Sequence, residues 1–400
     1  MTPLLCDIIV PIWNQPELTR RCLESVLAHT AEPVRLLLVD NGSEIPTRDL
    51  LDRFRAEHPG RVEILRNDEN LGFIKAVNQG IRSATAPWVC LLNNDTRVTA
   101  GWLSEMIRVA SEPKIGLVNP TSNSLGFHLG NSSPEEYAAG LRSQTGRWTE
   151  LTVALGFCLL ARHSLFDTIG LLDESYGMGN FDDDDLSRRV RRAGLTCARA
   201  CASYVYHEEK ASFRHLPGWK AEFAENRRRF EAKWGRRLRI LWALPGTPPG
   251  WERTIGRTAL ELAKQGHWIC FISPEGLPPS IASQAQVSLL PARGRWRPRA
   301  LWRLVAKRKK PFQVVVTSDP AWARWVKASR WLHGARLFFN PTELEILEQC
   351  RTLSLPRSWS APEEARPLPG TTSLPFPRSW SAPEEARPLP GTTSLPFPRS

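Results

Sequence analysis

The sequence predicts an α/β protein built on a mostly parallel sheet with helices on both faces. Three observations carry this. Over the first 235 of 400 residues, short apolar runs alternate with amphipathic stretches. Each apolar run stops abruptly in polar or turn residues. The same strand–loop–helix–strand rhythm then starts afresh near residue 238.

The elements follow in order. DIIVPIW reads as a buried strand, and PELTRRCLESVLAHT as a helix with Leu18, Cys22, Val26 and Leu27 at helical spacing. VRLLLVDNGS is a second strand ending in turn residues, and RVEILRND a third. GFIKAVNQGIRSA is a helix with Ile74, Val77 and Ile81 on one face, and WVCLLNND is a fourth strand. The helix GWLSEMIRVA follows, with Thr99 as a cap. In FDDDDLSRRVRRAGL, Leu186, Val190 and Ala193 keep helical spacing, so a helix starts close to the four aspartates. In the second unit LRILWALPG is a strand, RTIGRTALELAKQGH a helix stopped by Gly266, and WICFIS and FQVVVTS further strands. This sets domains at 1–235 and 236–355. From 356 the 21-residue segment PRSWSAPEEARPLPGTTSLPF recurs identically and a third copy begins. Without apolar periodicity, it reads as a disordered, dispensable tail.

Hydrophobic residues make up 42% and charged residues 24%, which fits a globular chain with ample core. The net charge of +12 points to an anionic partner. Eight scattered cysteines without metal-ligand or disulfide spacing read as small buried thiols in a reducing compartment. The N-terminus lacks a basic signal-peptide region, and VALGFCLLA is too short to span a bilayer. The expected location is the cytoplasm.

Ligands bind parallel sheets outside the carboxyl ends of the strands. Here those ends carry Pro11 and Asn14, then Asp40, Asn41 and Ser43, then Asn93, Asn94 and Asp95. One such end is a turn; three along one sheet edge make a binding site. In LLNNDT, a carboxylate closing a buried strand suits a hard cation, with water and substrate phosphates completing the shell. An Asx-turn leading into the next helix is the structural alternative.

Taken in order, VPIWN, LLLVDNGS, NDENLGFIKAVNQGI, LLNNDTRVTAGWL, GFCLLARHSLFDTIGLLDESY, FDDDDLSRRVRRAGL and YVYHEEKASF resemble glycosyltransferase family 2 over roughly residues 5–215. These are inverting nucleotide-sugar enzymes with the GT-A fold. The resemblance implies that Asp40 contacts the nucleotide base, with Pro11, Asn14, Asn41 and Ser43 adjoining, and that Asn70 and Gly72 line the nucleotide site. It puts the aspartate–x–aspartate metal motif on Asn93 and Asp95, with His207 completing the metal site. Asn93 departs from the pattern: an amide coordinates without adding charge, so Asp95 carries most of the metal binding. The family's glutamate–aspartate–x–aspartate–leucine pattern, fixed on Leu186, puts the catalytic base on Asp183, the glutamate position on Asp182 and the helix-starting residue on Asp185. The implied cofactor is magnesium or manganese, and the implied partners are a nucleotide-diphosphate sugar and a glycan or lipid-linked acceptor.

Chemistry supports the pattern independently. Expelling a nucleoside diphosphate calls for a cation on the phosphates, and the acceptor hydroxyl calls for a carboxylate to take its proton. Like-charge crowding raises the pKa of at least one aspartate, making it the better base near neutrality. A nucleotidyltransferase, the rival enzyme with this topology, calls for a glycine- and arginine-rich phosphate loop, which PIWNQPEL lacks. A scaffold that binds nucleotide sugars without turnover is the non-enzymatic alternative.

The second unit resembles the opening of GT-B glycosyltransferases of family 4, with Gly246 and Gly250 in a glycine-rich loop. The chain turns into repeats before a second GT-B domain, so this unit reads as an incomplete module, inactive alone. The basic run 293–310, with Trp296 and Trp302 interleaved, is either a solvated helix face or a contact with anionic membrane at the inner face of the plasma membrane. No base-reading module is visible, so no nucleic acid is expected.

Overall fold

The computed structural model describes residues 3–208, 218–244, 254–273, 277, 281, 284, 286–291, 296–306 and 311–354. The repeat tail, Gly246, Gly250, Arg293, Arg295 and the stretch 307–310 lie outside the described residues.

Alternation along the first strand sets the layers. Strand β1 (Cys6–Ile12) sends Cys6, Ile8, Val10 and Ile12 into one core and Ile9 into another, as side chains of a strand point alternately to opposite faces. The first core takes Leu23 and Val26 of α1 (Pro16–His29), Leu51 and Phe54 of α2 (Ile45–Glu57) and Trp102, Leu103 and Met106 of α4 (Trp102–Ala110). The second takes Ile74, Val77 and Ile81 of α3 (Phe73–Ser83), Leu165 and Phe166 of α6 (His163–Ile169), Leu186 and Val190 of α7 (Asp182–Arg192), and Phe230 of α8 (Trp219–Trp234). Helices therefore cover both faces.

The sheet has the order β3-β2-β1-β4-β8-β6-β9-β5, with β7 pairing β9. Strands β2 (Val34–Asn41), β3 (Val62–Asn67) and β4 (Trp88–Leu92) run parallel to β1, and β6 (Ile115–Thr121) and β9 (Thr196–His207) keep that direction. Only β8 (Cys158–Arg162) opposes its neighbours inside the sheet; short β5 (Thr96–Val98) and β7 (Trp148–Leu151) run antiparallel to β9. The β1–β4 register ends at Ile9 and Leu91, so Pro11 falls where β1 pairs with β2 alone. A residue without an N–H is tolerated there. Thr99 is not the cap of α4: Gly101 holds the N-cap position at φ 78°, and the Thr99 hydroxyl donates to the Tyr204 carbonyl at 2.7 Å.

A second sheet is wholly parallel, with the order β12-β11-β10-β13-β14. Its strands are β10 (Arg239–Ala243), β11 (Trp268–Ser273), β12 (Val287–Pro291), β13 (Val314–Thr317) and β14 (Arg336–Phe339). In chain order this is 3-2-1-4-5, the Rossmann-like arrangement. The two units touch through Lys264, whose Nζ lies 2.8 Å from Glu150 Oε1, and Gln284, which bonds the Glu150 carbonyl and the Thr152 N–H.

Candidate active site

The predicted residues fall into three groups on the carboxyl side of the first sheet. The first joins the ends of β1, β2 and β3. Asn14 and Gln15 both adopt left-handed backbone, at φ 57° and 60°. This turns the chain so that the Asn14 N–H donates to Ser43 Oγ (3.0 Å) and the Glu44 N–H donates to Asn14 Oδ1 (2.8 Å). Asn41 uses its whole hydrogen-bonding capacity. Its amide donates to Asn70 Oδ1 (2.8 Å) and the Gly72 carbonyl (3.2 Å); its oxygen accepts from Asn67 Nδ2 (3.0 Å) and the Leu71 N–H (3.1 Å). Next to it, Gly42 has φ +74°, and a Cβ there would sit 2.5 Å from the Glu69 carbonyl carbon, so only glycine fits.

Asp40 behaves differently from the expectation. It is fully buried, accepts from the Ser43 N–H at 3.0 Å and pairs with Arg66 Nε at 2.9 Å. In this geometry it holds the loop and Arg66; reaching a nucleotide base requires Arg66 to swing away. Sequence reading missed Arg66, because nothing local marks a partner 26 residues downstream.

The second group closes β4. Asn94 is tied to Thr19 Oγ1 at 2.9 Å, whereas the Asn93 side chain has no hydrogen-bond partner among the described residues. Asp95 Oδ1 lies 3.0 Å from His207 Nε2. His207 is held on every side. Ser124 Oγ meets its Nδ1 at 2.8 Å, Asn123 clamps its backbone N–H and carbonyl (2.9 and 2.7 Å), and the Phe157 ring stacks on it at 5.2 Å. Ser124 and Asn123 were also illegible in sequence: TSNS reads only as a loop.

The third group is the acidic run, and the structure splits it in two. Helix α7 starts at Asp182, not at Asp185, and Phe181 caps it with left-handed backbone at φ 72°. Asp185 does not join a site: it is fully buried, with Arg189 Nε at 2.9 Å, Lys233 Nζ at 3.1 Å and the Trp234 indole N–H at 2.6 Å. Its place in the turn points it at α8, where Lys233 and Trp234 hold it, so it serves as an anchor of the helix pair rather than as a proton acceptor. Asp184 is paired with Arg237 at 2.7 Å, and the Arg237 guanidinium lies over Phe230 and Phe181.

Asp182 and Asp183 have no ion pair among the described residues. Burial, then the charges of Asp184 and Asp185, push Asp182 up to about 6. Burial, then Asp182 and Asp184, hold Asp183 well above the usual carboxylate range. The free N–H groups of the first turn keep both from rising further. So two aspartates anchor the helix, and two are left with raised proton affinity.

Adjacent residues link the groups. The Gly156 N–H lies near enough to Asp183 to favour its charged form, while its neighbour Phe157 accepts from the Asn93 N–H at 2.8 Å and stacks on His207. A Cβ on Gly72 would be 3.1 Å from the Gly177 carbonyl, in the loop that leads into α7. That loop is strained: Gly177, Gly179, Asn180 and Phe181 all have positive φ. Asn226 of α8 holds it by donating to the Tyr176 and Gly179 carbonyls at 2.7 and 2.9 Å.

Asp95 and His207 fit a divalent cation in part. They present an oxygen and a nitrogen donor side by side, with the imidazole oriented through its other nitrogen, as metal-bound histidines are. Among the described residues no cluster of three His, Cys, Asp or Glu forms around them. The set therefore suits an ion that takes its remaining ligands from water and phosphate. Two parts of the basic run are also resolved: Arg297 is not free but paired with Asp319 at 2.5 Å, and Trp296 meets buried Trp322 edge-on.

Residues 7–170 match the family model described as Glycosyl transferase family 2. Among curated proteins, the uncharacterized protein y4gI of Sinorhizobium fredii is 29% identical over 254 residues, covering 58% of this chain and 28% of that protein. The O-antigen biosynthesis protein RfbC of Myxococcus xanthus is 28% identical over 230 residues, 52% of this chain and 18% of that one. This chain therefore spans under a third of the length of either. Among solved structures, the mannosyltransferase PcManGT from Pyrobaculum calidifontis, in complex with GDP-Man and Mn2+, is similar at a TM-score of 0.42 and 18% identity, over 55% of this chain and 61% of that one.

Proposed function

We propose that this chain, whose residues 7–170 belong to glycosyl transferase family 2 with its GT-A fold, transfers a sugar from a nucleoside-diphosphate donor to a hydroxyl of a glycan or lipid-linked acceptor, with inversion. The observation that carries the reading is the division of the acidic run. Asp183, without an ion pair among the described residues and with its pKa raised, lies near the Gly156–Phe157 segment, whose Phe157 also meets Asn93 and His207.

The geometry supports these roles. Asn14, Ser43, Asn41, Asn70 and Gly72 form a rigid rim for the nucleotide, with Pro11 and Asp40 beneath it. Asp95 and His207, with Asn93 beside them, are the residues that would hold magnesium or manganese. The softer imidazole donor favours manganese. When bound, such an ion supplies positive charge to the departing diphosphate. Asp183 accepts the proton of the attacking hydroxyl, and its raised pKa suits that task near neutral pH. Asp182 keeps the local charge density high.

The test is a screen of nucleotide sugars with the purified chain, following nucleoside diphosphate release with manganese, with magnesium and in excess chelator. Release with one donor, lost in chelator, is the expected result. Donor binding without any release would establish the scaffold reading, and full activity in chelator would remove the metal.

A further inference from the structure

We propose that the outward face of one helical layer in the second unit docks the protein on an anionic lipid bilayer surface. The charge of the chain is partitioned. Residues 1–235 hold 28 Lys and Arg against 30 Asp and Glu, whereas residues 236–355 hold 20 against 7. The excess positive charge thus belongs to the second unit, and the proposed catalytic unit is close to neutral. A catalytic domain handling a dianionic donor does not account for that distribution.

The structure shows where part of this charge is displayed. Helices Trp296–Ala306, Pro320–Ala328 and Arg330–His333 pack on one another. Ala300, Leu304, Trp322 and Val326 share a core with Leu241, Ala243, Ile272 and Val315 of the second sheet. Helices Ile255–Lys264 and Glu343–Ser354 cover the opposite face, with Ala259, Leu262 and Ile346 in the other core. The described contacts to the first unit come from Arg237, Lys264, Gln265, Gln284 and Gln286, none of them on the first helical layer, which no described residue of the first unit covers.

Its composition is one-sided. Segments 296–306 and 320–333 contain six Lys and Arg and not one Asp or Glu. Arg297 is paired with Asp319; Arg324, Lys327 and Arg330 lie at exposed positions, with Arg303 partly so. Among them stand Trp331, 82% exposed, Trp302, 69% exposed, and Trp325, 43% exposed, with Leu332 beside Trp331. Isolated exposed apolar residues are ordinary; three tryptophans on one layer among uncompensated cations are not. Indole side chains favour the headgroup level of a bilayer, and Lys and Arg near the surface are drawn to anionic lipid. No helix among the described residues is long and apolar enough to cross a membrane, so the contact lies at the surface. A nucleic acid would also meet cations and indoles. It calls for a groove that tracks a backbone, and Leu332 and Trp331 stand proud of a helical layer instead.

The experiment is cosedimentation of the full chain with vesicles of pure phosphatidylcholine and of three parts phosphatidylcholine to one part phosphatidylglycerol, at rising salt. Tryptophan quenching by brominated acyl chains is read in parallel. It does not depend on any glycosyl transfer, so it fails or succeeds separately from the function proposed above. Binding only to the anionic vesicles, weakened by salt, with quenching, is expected. The pair Trp302→Ser and Trp331→Ser, and separately the pair Arg324→Glu and Arg330→Glu, should each lower partitioning about tenfold or more. Both pairs sit at exposed positions, and an unchanged thermal midpoint verifies the fold. No binding to anionic vesicles, or binding that both pairs leave intact, overturns the proposal. So does retention on single-stranded oligonucleotide without lipid quenching, which would assign the face to nucleic acid.

Discussion

At the carboxyl ends of β1, β2 and β4 the first unit places Asn14, Asp40, Asn41, Ser43, Asn93 and Asp95; at the ends of β10, β11, β13 and β14 the second places Leu244, Ser273, Asp319 and Asn340. Both sheets are parallel there, and both have helices on two faces. In the first unit the strand-end side chains bond one another across loops, while among the described residues the Asn93 side chain has no hydrogen-bond partner and Asp183 no ion pair. In the second, among the described residues, the Thr317 hydroxyl donates to the Ala243 carbonyl of the neighbouring strand, and Asp319 accepts from the Trp322 N–H as a helix cap and pairs with Arg297. The same architecture thus carries the proposed site in one case and, among the described residues, inter-strand bonding and helix capping in the other. Function resides in the residues grafted on the fold.

That contrast can be broken most sharply at its two aspartates. Asp183→Asn keeps the shape and removes the basicity, and turnover should fall by roughly 10²-fold or more. Asp319→Asn in the second unit should leave turnover unchanged, keep the cap, and cost at most about 1 kcal/mol of stability through the lost ion pair with Arg297. Equal losses of turnover would erase the distinction between the units. A smaller effect is expected at Ser124, which bonds His207 Nδ1: Ser124→Ala loosens the imidazole and should weaken manganese affinity about tenfold. Titrating manganese against binding, not only rate, checks this.

Arg237, in the segment joining the units, sharpens the comparison further. Arg237→Met leaves Asp184 uncompensated beside Asp182 and Asp183. Their proton affinity should rise, so the acid limb of the pH–rate profile should move to higher pH. The loss is then several-fold near pH 6 and negligible at high pH; adding Asp184→Asn should restore the original limb. The smallest effect concerns stability. Asp182 binds its proton more tightly folded, at about 6, than unfolded, near 3.9. Stability is therefore lost as pH rises through that window. Asp182→Asn should remove its share of the slope, leaving that of Asp183, and raise stability at pH 7 on the order of 1 kcal/mol, measured by urea unfolding at pH 4 and pH 7.

Strand positions and their polar ends were legible because an apolar run that stops in Asn and Asp is a local signal. Helix α2 was not read: IPTRDLLDRFRAE buries only Thr47, Leu51 and Phe54 amid charge. The antiparallel insertion of β8 between β4 and β6 is decided by pairing across some 70 and 40 residues, which no local pattern announces. Asp182 to Asp185 look alike in sequence. Their fates differ because successive helical residues point about 100° apart, and because Arg237, Lys233 and Trp234 arrive from far along the chain to meet only two of them.

The Asn41–Gly42 pair carries one more consequence, for how the protein ages. An asparagine followed by glycine is chemically fragile, since the next backbone nitrogen can attack the side-chain carbonyl and expel ammonia. Attack requires the carboxamide to swing over the Gly42 nitrogen. Four hydrogen bonds hold it elsewhere, and the left-handed glycine is wedged against Glu69. In the folded protein this reaction is blocked. In an unfolded copy it proceeds, and the resulting carboxylate can no longer donate to Asn70 and Gly72, so the rim could not be rebuilt. Stored protein should therefore lose its donor site in step with time spent unfolded rather than with time elapsed.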